Sequence, residues 1–188
     1  LVRPECVLAT ADGCLYSADW RGGVACVRAD GSQSLYLGSL PGGRPLRPNG
    51  VAVCHDSSFL LADLGDALGG VFALSRDGET RPFLEEVDGV PLPPSNYVAL
   101  DAAGRTWITV STRLTPRARG YRGDVADGFV VLVDSRGARI AADGLGYTNE
   151  ALVSPDGAWL YVNETFGRRL SRFSLRSDGE LGAKDVVA

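Results

Sequence analysis

Apolar and polar residues alternate with a period of two over short runs, and Gly and Asp turn signals bound those runs. Almost no segment carries a helical period, so the chain reads as all-β. The pattern also recurs at a coarse spacing. A first unit runs Glu5-Cys6-Val7-Leu8, Ala11-Asp12-Gly13, Leu15-Tyr16-Ser17-Ala18-Asp19, Gly22-Gly23-Val24 and Ala29-Asp30-Gly31. A second runs Asn49-Gly50-Val51-Ala52-Val53, His55-Asp56, Phe59-Leu60-Leu61-Ala62-Asp63, Gly69-Gly70-Val71-Phe72 and Arg76-Asp77-Gly78. A third begins Asn96-Tyr97-Val98-Ala99-Leu100 and, after an insertion, reaches Gly128-Phe129-Val130-Val131-Leu132-Val133. The fourth begins Asn149-Glu150-Ala151-Leu152-Val153 and ends with Ser177-Asp178-Gly179.

The unit starts are 44, 47 and 53 residues apart, close to the roughly 40 to 50 residues of a four-stranded propeller blade. Residues 1–188 are therefore read as one β-propeller domain, with blades at about 5–48, 49–95, 96–148 and 149–188. Four units fit a complete small ring or the first part of a larger one. The tail Val186-Val187-Ala188 offers no obvious strand to pair with the first unit, which favours a truncated six-bladed propeller, with self-association as one way to cover its open ends.

Each unit opens on a polar residue: Glu5, Asn49, Asn96 and Asn149. Equivalent places in successive blades share height and radius, so these side chains are expected to converge on the central channel. An asparagine before a strand also simply makes a turn. Convergence of one carboxylate and several amide oxygens makes a hard, all-oxygen environment that suits Ca²⁺ first, then Mg²⁺ or Mn²⁺, with Zn²⁺ as a further candidate.

Composition narrows the partners. The 188 residues are 45% hydrophobic and 22% charged, enough for one real core. Lys and Arg number 19 against 23 Asp and Glu, a net charge of −4 with no basic block, which argues against nucleic acid. No apolar run approaches the roughly 20 residues that cross a bilayer, and no leader pattern precedes Arg3-Pro4-Glu5, so no membrane partner and a cytoplasmic location are expected. Cys6, Cys14, Cys26 and Cys54 match no zinc spacing and read as reduced core thiols. His55 is the only histidine and falls in a turn, which disfavours a histidine-based nucleophilic relay. Glu85-Glu86 and the pair Asp124 and Asp127 read as solvated charge. The insertion from Arg113 to Asp127, with Arg113, Arg117, Arg119 and Arg122, reads either as a lid toward an anionic ligand or as a surface excursion.

The segments Pro4-Glu5-Cys6-Val7, Arg47-Pro48-Asn49-Gly50-Val51-Ala52, Ser95-Asn96 with Asp101, Gly104, Arg105 and Trp107, and Thr148-Asn149-Glu150 with Ser154-Pro155-Asp156-Gly157 resemble the regucalcin (senescence marker protein) and gluconolactonase family. The resemblance covers essentially the whole chain. It implies a six-bladed propeller with a divalent cation in its channel and, in many members, lactone hydrolysis. It further implies that Glu5 and Asn149 are metal ligands and that Asn96 faces both metal and substrate. Asn49 holds a similar place without an established family role, and with Asn96 and Arg113 it completes the candidate substrate contacts. The family's last ligand, an aspartate, has no counterpart after Asn149, so no catalytic residue is assigned. Pro94 stands where regucalcin carries a substrate-contacting arginine. The segment Asn163-Glu164-Thr165 with Arg168 to Phe173 is also similar to strictosidine-synthase-like proteins. The expected function is metal-dependent hydrolysis of a small lactone or ester. The alternatives are a non-catalytic ligand-binding propeller with a structural ion, or a strictosidine-synthase-like protein.

Overall fold

A computed structural model describes residues 1–40 and 42–188. Its chain forms four successive antiparallel sheets, each built from four strands adjacent in sequence. The first holds β1 (Glu5–Ala9), β2 (Leu15–Asp19), β3 (Gly23–Val27) and β4 (Gln33–Leu37), and the second holds β5 (Pro48–Val53), β6 (Phe59–Asp63), β7 (Gly70–Leu74) and β8 (Thr80–Leu84). A two-stranded hairpin, β9 (Glu86–Val87) and β10 (Val90–Pro91), follows. The third sheet holds β11 (Ser95–Leu100), β12 (Thr106–Val110), β13 (Gly128–Asp134) and β14 (Gly137–Leu145). The fourth holds β15 (Thr148–Val153), β16 (Trp159–Glu164), β17 (Arg169–Leu175) and β18 (Leu181–Val186). The first strands of consecutive sheets, β1, β5, β11 and β15, approach one another in turn and form the inner wall. This is a four-bladed part of a β-propeller, in agreement with the all-β expectation.

Three apolar layers lie between the blades. Phe59 and Leu61 of β6 pack with Tyr16 and Val24 of the first blade, whereas Leu60 and Ala62 pack with Ile108 and Val131 of the third. The strand alternates between two interfaces rather than between core and water, which explains why Phe59 to Ala62 is a continuous apolar run. β13 repeats the device: Val131 faces the second blade, while Val130 and Leu132 meet Leu160 and Val162 of the fourth. The terminal blades lack a neighbour on one face, and Val7, Leu15 and Leu152 are exposed.

The inner strands β5 and β11 run close together at Gly50. A Cβ there would lie 2.6 Å from the Cα of Tyr97 and 2.7 Å from the nitrogen of Val98. Both are backbone atoms, so neither can rotate away. Gly50→Ala is expected to lower stability by about 2 kcal/mol through overpacking between β5 and β11, read as a lower denaturation midpoint in urea. An unchanged midpoint would show that the two strands separate freely.

Candidate functional site

The pairing between first and second strands breaks at the same end of all four blades. Register shifts fall between Glu5 and Val7, Pro48 and Gly50, Ser95 and Tyr97, and Thr148 and Ala151. Such bulges leave a residue out of the ladder and turn its side chain to a new direction. The residues left out at these breaks are Asn49, Asn96 and the pair Asn149 and Glu150 in the last three blades, but Cys6 in the first, where the opener Glu5 stays paired with Ala18 just before the break.

The polar openers are linked in one belt. Asn49 Nδ2 donates to the backbone oxygen of Asn96 at 3.0 Å and to its Oδ1 at 3.3 Å, and Asn96 Nδ2 donates to Asn149 Oδ1 at 2.6 Å. Arg3 joins the first blade to the second: its NH1 donates to Asn49 Oδ1 at 3.1 Å, and its NH2 lies 3.3 Å from Glu5 Oε1. Asn49, Asn96 and Asn149 thus touch one another across three blades, and Glu5 is joined to them only through Arg3. Asn49 and Asn96 are buried, 8% and 5% exposed, while Glu5 remains open to solvent.

Cys6, Tyr97 and Glu150 form a second group of neighbours next to the belt residues in sequence. Burial pushes the Cys6 thiol up, and its Sγ donates to the Val51 backbone oxygen at 3.6 Å. Burial also raises Tyr97, followed by its contact with Cys6 and by the charge of Glu150. Glu150, a partly exposed carboxylate that accepts a bond from Asn163 Nδ2 at 3.0 Å, is one to which the sequence assigns no role. The available signal was its place, one residue after Asn149, as Cys6, Gly50 and Tyr97 follow the other openers.

The belt's position depends on carboxylates buried at the ends of β2, β6 and β16. Asp19 Oδ2 accepts the Val2 N–H at 3.0 Å, Asp63 Oδ1 accepts the Arg47 N–H at 2.6 Å, and Glu164 Oε2 accepts the Gly146 N–H at 2.6 Å. Each therefore fixes the segment that leads into an inner strand. Each is matched by a guanidinium, from Arg21, Arg44 and Arg169 respectively, at 2.7–2.9 Å. The bonds from Arg21, opposed by burial and aided by the backbone N–H groups of Arg21 and Val2, hold Asp19 well below the usual carboxylate range. Burial alone would raise Glu164. The bonds from Arg169, the Gly146 N–H and Ser171 outweigh it and lower the group from 4.5 to about 2. In the third blade Val110 ends β12 instead, and Ser111 Oγ donates to the Thr148 backbone oxygen at 2.8 Å.

Arg113 does not join the belt. Its guanidinium forms two 2.8 Å bonds to Asp143 and lies 4.2 Å from the Phe129 ring centre, beside a cleft of about 410 Å³ that includes Leu68, Val87 and Pro91. With both fork nitrogens committed to a carboxylate, it is held as part of the wall between the second and third blades. The rest of the insertion is likewise tied down. Arg122 pairs with Asp124, and the Tyr121 ring stacks on Phe166 and meets Tyr147 edge-on, each at 5.1 Å. His55 is exposed in the turn after β5, and all four cysteines are free thiols.

The side chains of Glu5, Asn49, Asn96 and Asn149 carry oxygens of the hard type that divalent cations take. Each amide oxygen accepting a single bond retains a lone pair. Among the described residues no group of three or more His, Cys, Asp or Glu stands together, so such a cation would depend on amide oxygens, with Glu5 as the charged donor.

A β-propeller with a polar, oxygen-lined belt at the bulged ends of its inner strands is the class these features define. The chain belongs to the SMP-30/gluconolactonase/LRE-like region family, whose model matches residues 4–188. Among solved structures it is similar to a gluconolactonase from Xanthomonas campestris, with 22% identity and a TM-score of 0.76 over 97% of this chain and 61% of that one. It is also similar to the calcium-binding protein regucalcin from Agrobacterium tumefaciens, with 19% identity and a TM-score of 0.67 over 99% and 59% of the two chains. Virginiamycin B lyase from Staphylococcus aureus shares the fold at 13% identity and a TM-score of 0.66, over 98% and 55%. The chain thus spans about three fifths of the gluconolactonase and regucalcin chains. No curated protein matches it at a significant level.

Because its folded-state value is depressed, Glu164 contributes stability that is full above its ordinary value of 4.5 and is lost as pH falls toward about 2. Glu164→Gln is expected to be less stable than wild type at pH 7 by about 3 kcal/mol. The difference should shrink between pH 5 and pH 2 in urea titrations. A gap that stayed constant over that interval would contradict the anchoring role.

Proposed function

We propose that this chain forms the metal-holding part of a hydrolase that opens a lactone or a related small ester. The observation that carries the reading is the belt of Glu5, Asn49, Asn96 and Asn149, supported by membership in a family that includes gluconolactonases. Glu5, Asn96 and Asn149 would hold the cation, for which Ca²⁺ fits the oxygen donors best. A divalent cation supplies Lewis-acid polarisation of a carbonyl and acidifies bound water.

The chain's own residues orient and select. Asn49 fixes Asn96 through two contacts, and Asn96 in turn fixes Asn149, so the three amides act as one preorganised set. Asn49 and Asn96 present polar atoms to a substrate at the same place. Burial of these amides limits competing water, while the exposed Glu5 side leaves an approach for a small molecule. Among the described residues no helix is long and apolar enough to cross a membrane.

Calcium at about 100 times its dissociation constant should stabilise the protein by about 2.7 kcal/mol, seen as a rise of several degrees in denaturation temperature. Glu5→Gln and Asn149→Ala should each remove most of that rise. Lactone hydrolysis by the protein that contains this chain should stop on adding a chelator. A chelator-insensitive lactonase activity, or an unchanged calcium response in both variants, would refute the reading.

A further inference from the structure

Arg3 stands between Glu5, one of the proposed cation ligands, and Asn49, which fixes the next. Its NH1 reaches Asn49 Oδ1 and its NH2 reaches Glu5 Oε1, while its guanidinium carbon lies 4.0 Å from the centre of the Trp20 ring. The segment carrying it is fixed from both sides: the Val2 N–H bonds Asp19, and the Trp20 N–H bonds the Val2 backbone oxygen at 2.9 Å. Arg3 and Cys6, on either side of Glu5, have φ of 46° and 50°. Side-chain-bearing residues rarely adopt this left-handed conformation, and such outliers gather where the surroundings hold a functional side chain in place.

A guanidinium and a divalent cation drawn to the same Glu5 carboxylate repel each other, since like charges a few ångströms apart are costly even when partly solvated. The Arg3 and Glu5 side chains keep about a third and nearly half of their exposure, at 34% and 45%, so their contact is open to exchange. The face of Trp20 holds the guanidinium in the same position, and this contact does not depend on the Glu5 oxygens.

We propose that Arg3 is a built-in competitor of the divalent cation. It bridges Glu5 to Asn49, and a cation that takes the Glu5 carboxylate must displace it from that oxygen, leaving it over Trp20. The competition sets the affinity lower than the oxygens alone would give, so that occupancy follows the cation concentration. The inference rests on the cation reading above.

The test compares wild type, Arg3→Met and Glu5→Gln of this 188-residue chain by calorimetric calcium titration and by denaturation temperature in EDTA and in calcium. Arg3→Met keeps an apolar stem against Trp20 and deletes the charge. It is expected to bind calcium about tenfold more tightly than wild type, a gain of about 1.4 kcal/mol. It should also melt below wild type in EDTA and show the larger rise with calcium. If the methionine variant does not fold, Arg3→Gln, which retains a donor for Asn49 without the charge, takes its place with the same expected affinity gain. Equal calcium affinity in wild type and the uncharged variant, with binding lost in Glu5→Gln, overturns the competitor and leaves the cation reading standing. Absence of calcium binding in wild type and the uncharged variant alike overturns both.

Discussion

The architecture of the site depends on a buried carboxylate accepting the backbone N–H of the segment that enters an inner strand. Asp19, Asp63 and Glu164 do this in three blades, and each has an arginine at its side. A carboxylate withdrawn from water is costly unless its oxygens are filled. These are filled by a backbone donor and a guanidinium together, which ties the position of the strand to the ionised state of the anchor. The entry segments cannot drift without leaving a buried charge unsatisfied.

Fixed entry points make the bulges useful. A bulge turns one side chain out of the ladder, but its direction has meaning only if the strand start is fixed relative to the neighbouring blade. With Val2, Arg47 and Gly146 held, Glu5, Asn49 and Asn149 arrive at the same end of the inner wall. Asn96, whose blade lacks a carboxylate anchor, is held instead by its bonds to Asn49 and Asn149. Close backbone contact at Gly50 and the layers on either side of β6 and β13 keep the blades at the spacing those bonds require.

Much of this arrangement was legible in the sequence. Period-two runs and Asp-Gly turns carry four-stranded units because strand alternation and positive-φ turns are local properties. The contact of Asn49, Asn96 and Asn149 follows the repeat because equal places in repeated units occupy equal places in space, whereas Glu5 departs from it: the first bulge falls one residue later, at Cys6, a register detail that no periodicity carries. The repeated aspartates Asp19 and Asp63 were visible too, yet their anchoring was not, since it depends on a backbone N–H 16 or 17 residues away in sequence. Glu164 was harder still, being a glutamate where its counterparts are aspartates. Arg3 precedes the first repeat and so fell outside the phase argument. Arg113 was drawn toward the candidate substrate contacts by its charge, and no sequence pattern indicates that Asp143, on the far side of a hairpin, takes both of its nitrogens.

The most direct measurement is a crystal structure of the chain in saturating calcium, with terbium replacement to locate the ion by anomalous scattering. The account predicts one strong peak in the channel within about 2.3–2.6 Å of oxygens from Glu5, Asn96 and Asn149. An empty channel at saturating cation, or a peak bound only to carboxylates on the outer rim, would contradict it.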